Sequence, residues 1–499
     1  MKVSPSRSQQ MAEFVERRKY LLLAALTAIF AVGAAARAAA RPFWYDEIIT
    51  LVSARQPDLA TAWKAALVTD ANPPLPHIAT HLAVRWLGVT EVTARLPAML
   101  GFWVFCLCLF VFVARRKGVL IGLSALLLPI VTDALTYAAD ARAYGLELGF
   151  CGMVLVAWQS AAEGRRRVAA LVVLAVSIGA MLMCHYYAIL VYFPLAVAEL
   201  VRARSRRALD WGVAAALAAG IAPLVWRLQQ VMGTVQAFSH GWSSAYLRQG
   251  IEFWETALNS GAAWLAMLLV LVAFARRGKI ADPGGEVPAH EWTAAALFLV
   301  VPLAAVFAAI TVTHAFTPRY AIIGIAGFCL LVPLLAAEYA GARSTLAALL
   351  AAVLVWATVI RMADRPAPRN PFADEQALAQ ALEKEPVVVA DGQLFLQMWH
   401  YAPDRLKPRL IFLSDPDAAL RYMGFDTIDY GVRPMRSWTK LNVINYSDFA
   451  KETSDFLVYR DLLRPEWVTP RVLADGASVE LLNAPLHHEL VRVRLHPRP

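Results

Sequence analysis

Asp46 and Glu47 stand side by side in RPFWYDEIITL, residues 41–51, directly after an oily run and among aromatics. Carboxylates resist leaving water, and aromatics anchor a membrane interface without their help, so the pair points to chemistry rather than stability. A carboxylate held in a partly dehydrated place is suited to take a proton from an attacking hydroxyl or amine, which makes Asp46 a candidate general base. Three further groups punctuate apolar runs: Asp140, Arg142 and Tyr144 in TYAADARAYGLE, His185 and Tyr186 in CHYYAIL, and Arg319 with Tyr320 in HAFTPRYAI. On a helix Asp140 and Tyr144, four apart, share a face, while Arg142 points elsewhere. A guanidinium fork matches phosphate oxygens, so an anionic substrate group is the natural partner of Arg319. Each group also has a structural alternative: an Asp140–Arg142 ion pair, interface tyrosines, a hydrogen-bonded histidine, a snorkelling arginine. The set contains no Gly-rich phosphate loop and no Ser/His/Asp order. It fits sugar or lipid-phosphate chemistry at a water-facing surface. A phosphate attached to a sugar leaves without a general acid, so one carboxylate base and one cation are a sufficient minimum.

The elements that must hold these residues are membrane helices. The chain has 499 residues, 59% of them hydrophobic and only 17% charged. Apolar runs recur from residue 19 to 362, and about eleven of them approach the roughly 20 residues that cross a bilayer. Among them are 20–40, 92–113, 119–135, 144–162, 257–275, 292–313 and 320–338. Arg17/Arg18/Lys19, Arg115/Arg116/Lys117, Arg165/Arg166/Arg167, Arg202/Arg204/Arg206/Arg207 and Arg276/Arg277/Lys279 fill every second connection. The positive-inside rule makes these cytoplasmic and turns Asp46, Asp140, His185 and Arg319 outward. The net charge of +9 therefore reports topology and not nucleic acid. The segment NPPLPHIATHLAVRWLG, residues 72–88, belongs on the outer membrane face, because a crossing there would reverse every later loop. The first apolar run is too long for the usual signal-peptide core and reads as an anchor. The five cysteines lie in or at the ends of spans and indicate no disulfide framework.

After RPAPRNP the composition stops being membrane-like. FADEQALAQALEKE reads as a helix, and PVVVADG, RLIFLSD, DFLVYRD and SVELLNAP as strands. The expected organisation is a cytoplasmic tail over 1–18, a polytopic helical module over 19–362 and a small outer α/β domain over 363–499.

Taken in order, WYDE, NPPLPH with ARLPAML, YAADARAYGLELG, HYYAILVY and FTPRYAIIGIAG resemble the pattern of bacterial membrane glycosyltransferases of the GT-C class. The nearest branches are the protein mannosyltransferase and aminoarabinose transferase superfamily and its Rgt-type sugar transferases. The resemblance covers residues 41–362. It implies inverting transfer of a sugar from a polyprenyl phosphate carrier to a glycan, lipid or protein acceptor. The setting it implies is the outer face of the bacterial cytoplasmic membrane. The acidic pair then supplies the catalytic residues Asp46 and Glu47, and Arg142 and Arg319 hold the lipid phosphate. Tyr45, Asn72, His77, Asp140, Tyr144, His185, Tyr186 and Tyr320 complete the substrate-binding set, with Asn72 where the family often has His. Some relatives bind a divalent metal ion near the phosphate. Trp44, Tyr45, Tyr144, Tyr186 and Trp242 offer faces on which a sugar can pack. Two other classes compete: a lipid or sugar transporter, which should carry mid-span ionisable residues and a helix repeat, and a scaffold whose outer domain binds a partner.

Overall fold

The computed structural model describes residues 13–229, 232–233, 244–259, 261, 263–268, 286–340, 345–364, 367 and 369–496. Trp242 and residues 260, 262 and 269–275 of the expected span 257–275 lie outside them. The chain divides into two units, Met1–Ala38 with Arg95–Leu228 and Ala245–Pro366, and Ala39–Ala94 with Gln229–Ser244 and Ala367–Pro499.

The first unit is helical. Among the described residues, the helices Lys19–Ala40, Glu91–Val131, Ala143–Ala162, Tyr186–Arg206 and Pro318–Glu338 are long and apolar enough to cross a membrane. Ala289–Phe298 and Val301–Thr313, bent by 51°, make a sixth if they count as one span. Pro302 opens the second half of that pair, and a proline removes a helical donor and crowds the turn before it. Arg167–Leu182, Trp211–Trp226 and Leu350–Ala363 are apolar but shorter. The expected spans 92–113 and 119–135 correspond to one helical run broken at Gly118, where φ is 82°. There the chain folds back: a side chain on Gly122 would come within 2.7 Å of the Ala114 Cβ. The second limb is shorter than expected, because the α-helix ends at Leu127 and a 3-10 turn follows over Leu128–Val131.

Glycine brings two helices of this unit into backbone contact. A Cβ on Gly149 would lie 2.6 Å from the Gly101 carbonyl oxygen, and one on Gly145 would collide with that of Ala98. Small residues permit such close helix approach, and here they fix the start of Ala143–Ala162, where Arg142 and Tyr144 sit. Basic connections close on acids: Arg116 pairs with Glu163 at 2.6 Å and with the buried Glu291, and Arg202 with Asp210 at 2.8 Å.

The second unit contains a six-stranded sheet: β1 Val387–Val389, β2 Leu410–Ser414, β3 Val443–Asn445, β4 Asp455–Asp461, β5 Ser478–Asn483 and β6 His488–Arg494. Its order is β3-β2-β1-β4-β6-β5. The first four strands in that order are parallel, and β6 pairs antiparallel with both β4 and β5. Fully buried runs such as Val387–Val389 are what a parallel sheet covered on both faces requires. Val388, Leu413, Val458, Trp467 and Val491 form its core. Four of the strands match those read from sequence. The helix expected over 372–385 is broken into Pro371–Asp374 and Gln376–Lys384 at Glu375, whose carboxylate is drawn to Tyr459 and His488. The same unit holds the helices Tyr45–Ala54, Leu59–Thr69 and Leu75–Leu87.

Candidate functional site

Asp46 and Glu47 occupy the first turn of the Tyr45–Ala54 helix, where the exposed amides and the helix dipole favour negative charge. The buried Glu47 turns back on its own helix, its Oε2 accepting the Trp44 N–H at 3.3 Å. That is the carboxylate half of a capping box. Asp46, one residue earlier, is only half-buried.

Two contacts from the C-terminal domain hold the entry to this helix at Phe43. The Tyr401 hydroxyl accepts the Phe43 N–H at 2.6 Å and donates to Glu91 at 3.1 Å, while Gln397 donates to the Phe43 carbonyl at 2.9 Å. At the far end Gln56 donates to the Trp438 carbonyl at 3.2 Å. Burial, with the neighbouring charges of Asp46, Asp391, Asp429 and Asp70, pushes the Tyr45 phenol well above its usual range. Tyr45 is therefore a hydroxyl donor that stays protonated among carboxylates. Its oxygen fills the space beside Gly431, where a Cβ would meet it at 2.7 Å.

Asn72 and His77 are both tied to Asp70. Asp70 Oδ1 accepts the Asn72 backbone N–H at 2.9 Å and its side-chain amide at 3.0 Å, and Oδ2 lies 3.2 Å from His77 Nε2. His77 Nδ1 is 2.6 Å from Ser53 Oγ on the Tyr45–Ala54 helix. The NPPLPH segment thus braces the helix that carries Asp46. The proline-rich stretch itself leads into a helix of 13 residues, Leu75–Leu87, shorter than a bilayer crossing.

The other expected residues belong to the first unit. Arg142 is the extended residue capping Ala143–Ala162, and Asp140 precedes it in non-helical chain. The shared helical face expected for Asp140 and Tyr144 is therefore not formed, because the helix begins only at Ala143. Asp140 and Arg142 are both buried. Tyr144, His185 and Tyr320 form a ring cluster, with centroids 5.6 Å apart between Tyr144 and His185 and 4.9 Å between His185 and Tyr320. The Arg319 guanidinium lies over Tyr144, 5.9 Å from its centroid. His185 Nδ1 accepts the Tyr187 N–H at 3.3 Å, which leaves the proton of the neutral ring on Nε2. Tyr186 opens the 3-10 helix that follows. Arg319 also lines a narrow cleft with Asp133, Tyr137, Phe253, Pro318, Ile322 and Ile325. Burial, with Asp133, pushes the Tyr137 phenol up to about 12 against the pull of Arg319.

Sequence reasoning missed Asp70, Ser53, Gln397 and Tyr401. Asp70 carried a signal, since an Asp two residues before the Asn of a proline-rich turn is placed to accept the turn's amides. The other three carried none. Ligand atoms that suit a divalent ion do converge in the C-terminal sheet, from Asp461, His487 and His488.

In sequence the chain matches no protein-family profile and no curated protein. In structure it is similar to ArnT from Cupriavidus metallidurans in the apo state, with a TM-score of 0.59 and 12% identity, covering 95% of this chain and 97% of that one. For ArnT from the same organism bound to undecaprenyl phosphate the TM-score is 0.60 and the identity 13%, covering 95% and 98%. A weaker likeness, TM-score 0.45 and 13% identity over 90% of this chain and 70% of that one, is to the Archaeoglobus fulgidus oligosaccharyltransferase in the apo form. The protein therefore has the fold that the motifs implied, a polytopic helical membrane module of the GT-C type with a small C-terminal α/β domain.

Proposed function

We propose that the protein is a membrane glycosyltransferase that moves a sugar from a polyprenyl phosphate carrier to an acceptor on the outer face of the bacterial cytoplasmic membrane. The observation that carries this reading is the likeness over nearly the whole chain to ArnT, one of whose structures holds undecaprenyl phosphate. Asp46 is the base. It takes the proton of an acceptor hydroxyl or amine as that atom attacks the anomeric carbon. The bond from that carbon to the phosphate oxygen breaks, the electron pair leaves with the polyprenyl phosphate, and the configuration inverts. Negative charge grows on the departing phosphate, and Arg142 and Arg319 meet it with guanidinium donors.

Two features of the residues support these assignments. Glu47 caps its own helix, and Asp46 stands half-buried beside it in the same first turn, a carboxylate at a helix start suited to proton transfer. Arg319 lines a cleft with Phe253, Ile322 and Ile325 as well as Asp133 and Tyr137, a mixed apolar and polar lining that suits an amphiphile. Tyr144, His185, Tyr186 and Tyr320 offer ring faces and donors to the sugar, while Asn72 and His77 act through their anchorage on Asp70.

Cells carrying wild type or Asp46→Asn at equal expression should be compared for polyprenyl phosphate sugars and surface glycans. The variant should accumulate one glycosylated carrier and lose one surface sugar, which also identifies the donor. No change in either pool would overturn the assignment.

A further inference from the structure

The geometry points to a divalent transition-metal site, of the zinc class, at the junction of β4 and β6, built from Asp461, His487 and His488. Asp461 ends β4, His488 begins β6, and the two face each other as cross-strand partners. The coordinating atoms of Asp461, His487 and His488 all lie within 4.8 Å of one another.

The hydrogen-bonding of His488 supplies the reason for a cation. Its Nδ1 is 3.1 Å from Glu375 Oε2, an acceptor, so Nδ1 carries the proton. The lone pair on Nε2 then faces Asp461 Oδ2, an anion, 3.7 Å away. A proton shared between them would need a separation of about 2.7–3.2 Å. A metal between them, bound at about 2.0–2.2 Å to each, would need roughly 3.4 Å at a tetrahedral angle and a little more at a wider one. The observed distance suits the metal and exceeds the reach of the proton.

The surroundings fit the same reading. A carboxylate behind a metal-binding imidazole fixes its tautomer and raises its basicity, and Glu375 stands there, itself held by the Tyr459 hydroxyl. Leu486, immediately before the two histidines, has φ 55° and is almost fully exposed, so its left-handed backbone gains nothing from core packing. That conformation is unfavourable for a leucine. It turns the chain so that the His487 and His488 rings lie together, centroids 4.4 Å apart, instead of on opposite sides as successive strand residues would. Asp461 keeps its other contacts, Oδ1 accepting the Leu463 N–H at 3.0 Å and Oδ2 lying 3.2 Å from Arg464 Nε. Two imidazoles and one carboxylate suit zinc, with a fourth position for water. The bound ion would fasten the last strand to β4.

The test uses the full-length protein in detergent, stripped with a chelator, dialysed against Zn²⁺ and analysed for bound metal by mass spectrometry. Wild type should retain one equivalent more than His487→Ala, whose side chain lies outside the sheet core. Glu375→Gln, which keeps an acceptor for Nδ1–H, should bind that equivalent about 10–100-fold more weakly. With Co²⁺ in place of Zn²⁺, wild type should show the visible bands of four-coordinate cobalt and His487→Ala should not. Equal metal content in wild type and His487→Ala overturns the proposal. So does a wild type that retains no zinc after dialysis. The readout is metal content, so it stands apart from any result on sugar transfer.

Discussion

One hydroxyl, that of Tyr401, accepts the Phe43 amide at 2.6 Å and donates to Glu91 at 3.1 Å. These residues are more than 300 positions apart in the chain, and the bonds make the C-terminal domain part of the support of the helix that begins Tyr45, Asp46, Glu47. Tyr401→Phe removes both bonds, a loss of about 1–3 kcal/mol. Insertion into the membrane should be unchanged, sugar transfer should fall about tenfold, and proteolysis within residues 41–58 should quicken. Unaltered transfer and cleavage would show that Tyr401 supports nothing.

Gly431→Ala places a methyl 2.7 Å from the Tyr45 hydroxyl oxygen. Overpacking of this kind costs about 1–3 kcal/mol. Tyr45→Phe removes the obstructing atom, so the double variant should be less destabilised than the sum of the two single ones. Thermal unfolding of the four proteins measures the coupling; simple additivity would contradict the contact.

Arg319→Lys keeps the charge but loses the planar fork and the contact with the Tyr144 ring. If Arg319 holds the donor phosphate, the variant should show a donor KM raised about tenfold with a smaller change in kcat. An unchanged KM would remove Arg319 from donor binding.

Asp429 is buried on the Thr427–Met435 helix, and burial pushes its carboxyl up to about 6. Between about pH 4 and 6 the folded chain keeps a proton that the unfolded chain has lost, so this group lowers stability as pH rises through that window. Asp429→Asn removes the term and can still accept the Asp415 N–H, which lies 3.0 Å from Oδ1. The stability gained by the variant should grow from near zero at pH 4 to about 2 kcal/mol at pH 7. A gain that does not vary with pH would refute the buried-acid account.

Much of this organisation was legible in the chain because it rests on local pattern. The oily runs, the reversal after Arg115/Arg116/Lys117 and the strands PVVVADG, RLIFLSD, DFLVYRD and SVELLNAP all follow from short-range composition and periodicity. β3, at three residues, is too short for periodicity to show. β6 carries an alternation of Val491 and Val493 with Arg492 and Arg494 that is interrupted at its start by His488 and Glu489. The break of the 372–385 helix at Glu375 was not legible at all, because its causes, Tyr459 and His488, lie about a hundred residues downstream.

By itself, then, the sequence determined which segments are apolar enough for a membrane, that the composition changes after RPAPRNP, and which acids, arginines and aromatics interrupt the apolar runs. Tertiary structure decided what those residues touch. It turned Glu47 into a cap, tied Asn72 and His77 to Asp70, and placed Arg142 at a helix start instead of inside the helix. It also joined the Tyr45–Ala54 helix to a domain from the other end of the chain. The physical reason is range. Hydrophobic periodicity is written over ten or twenty neighbours, whereas a hydrogen bond at 2.6 Å between residues 43 and 401 exists only after the chain between them has folded.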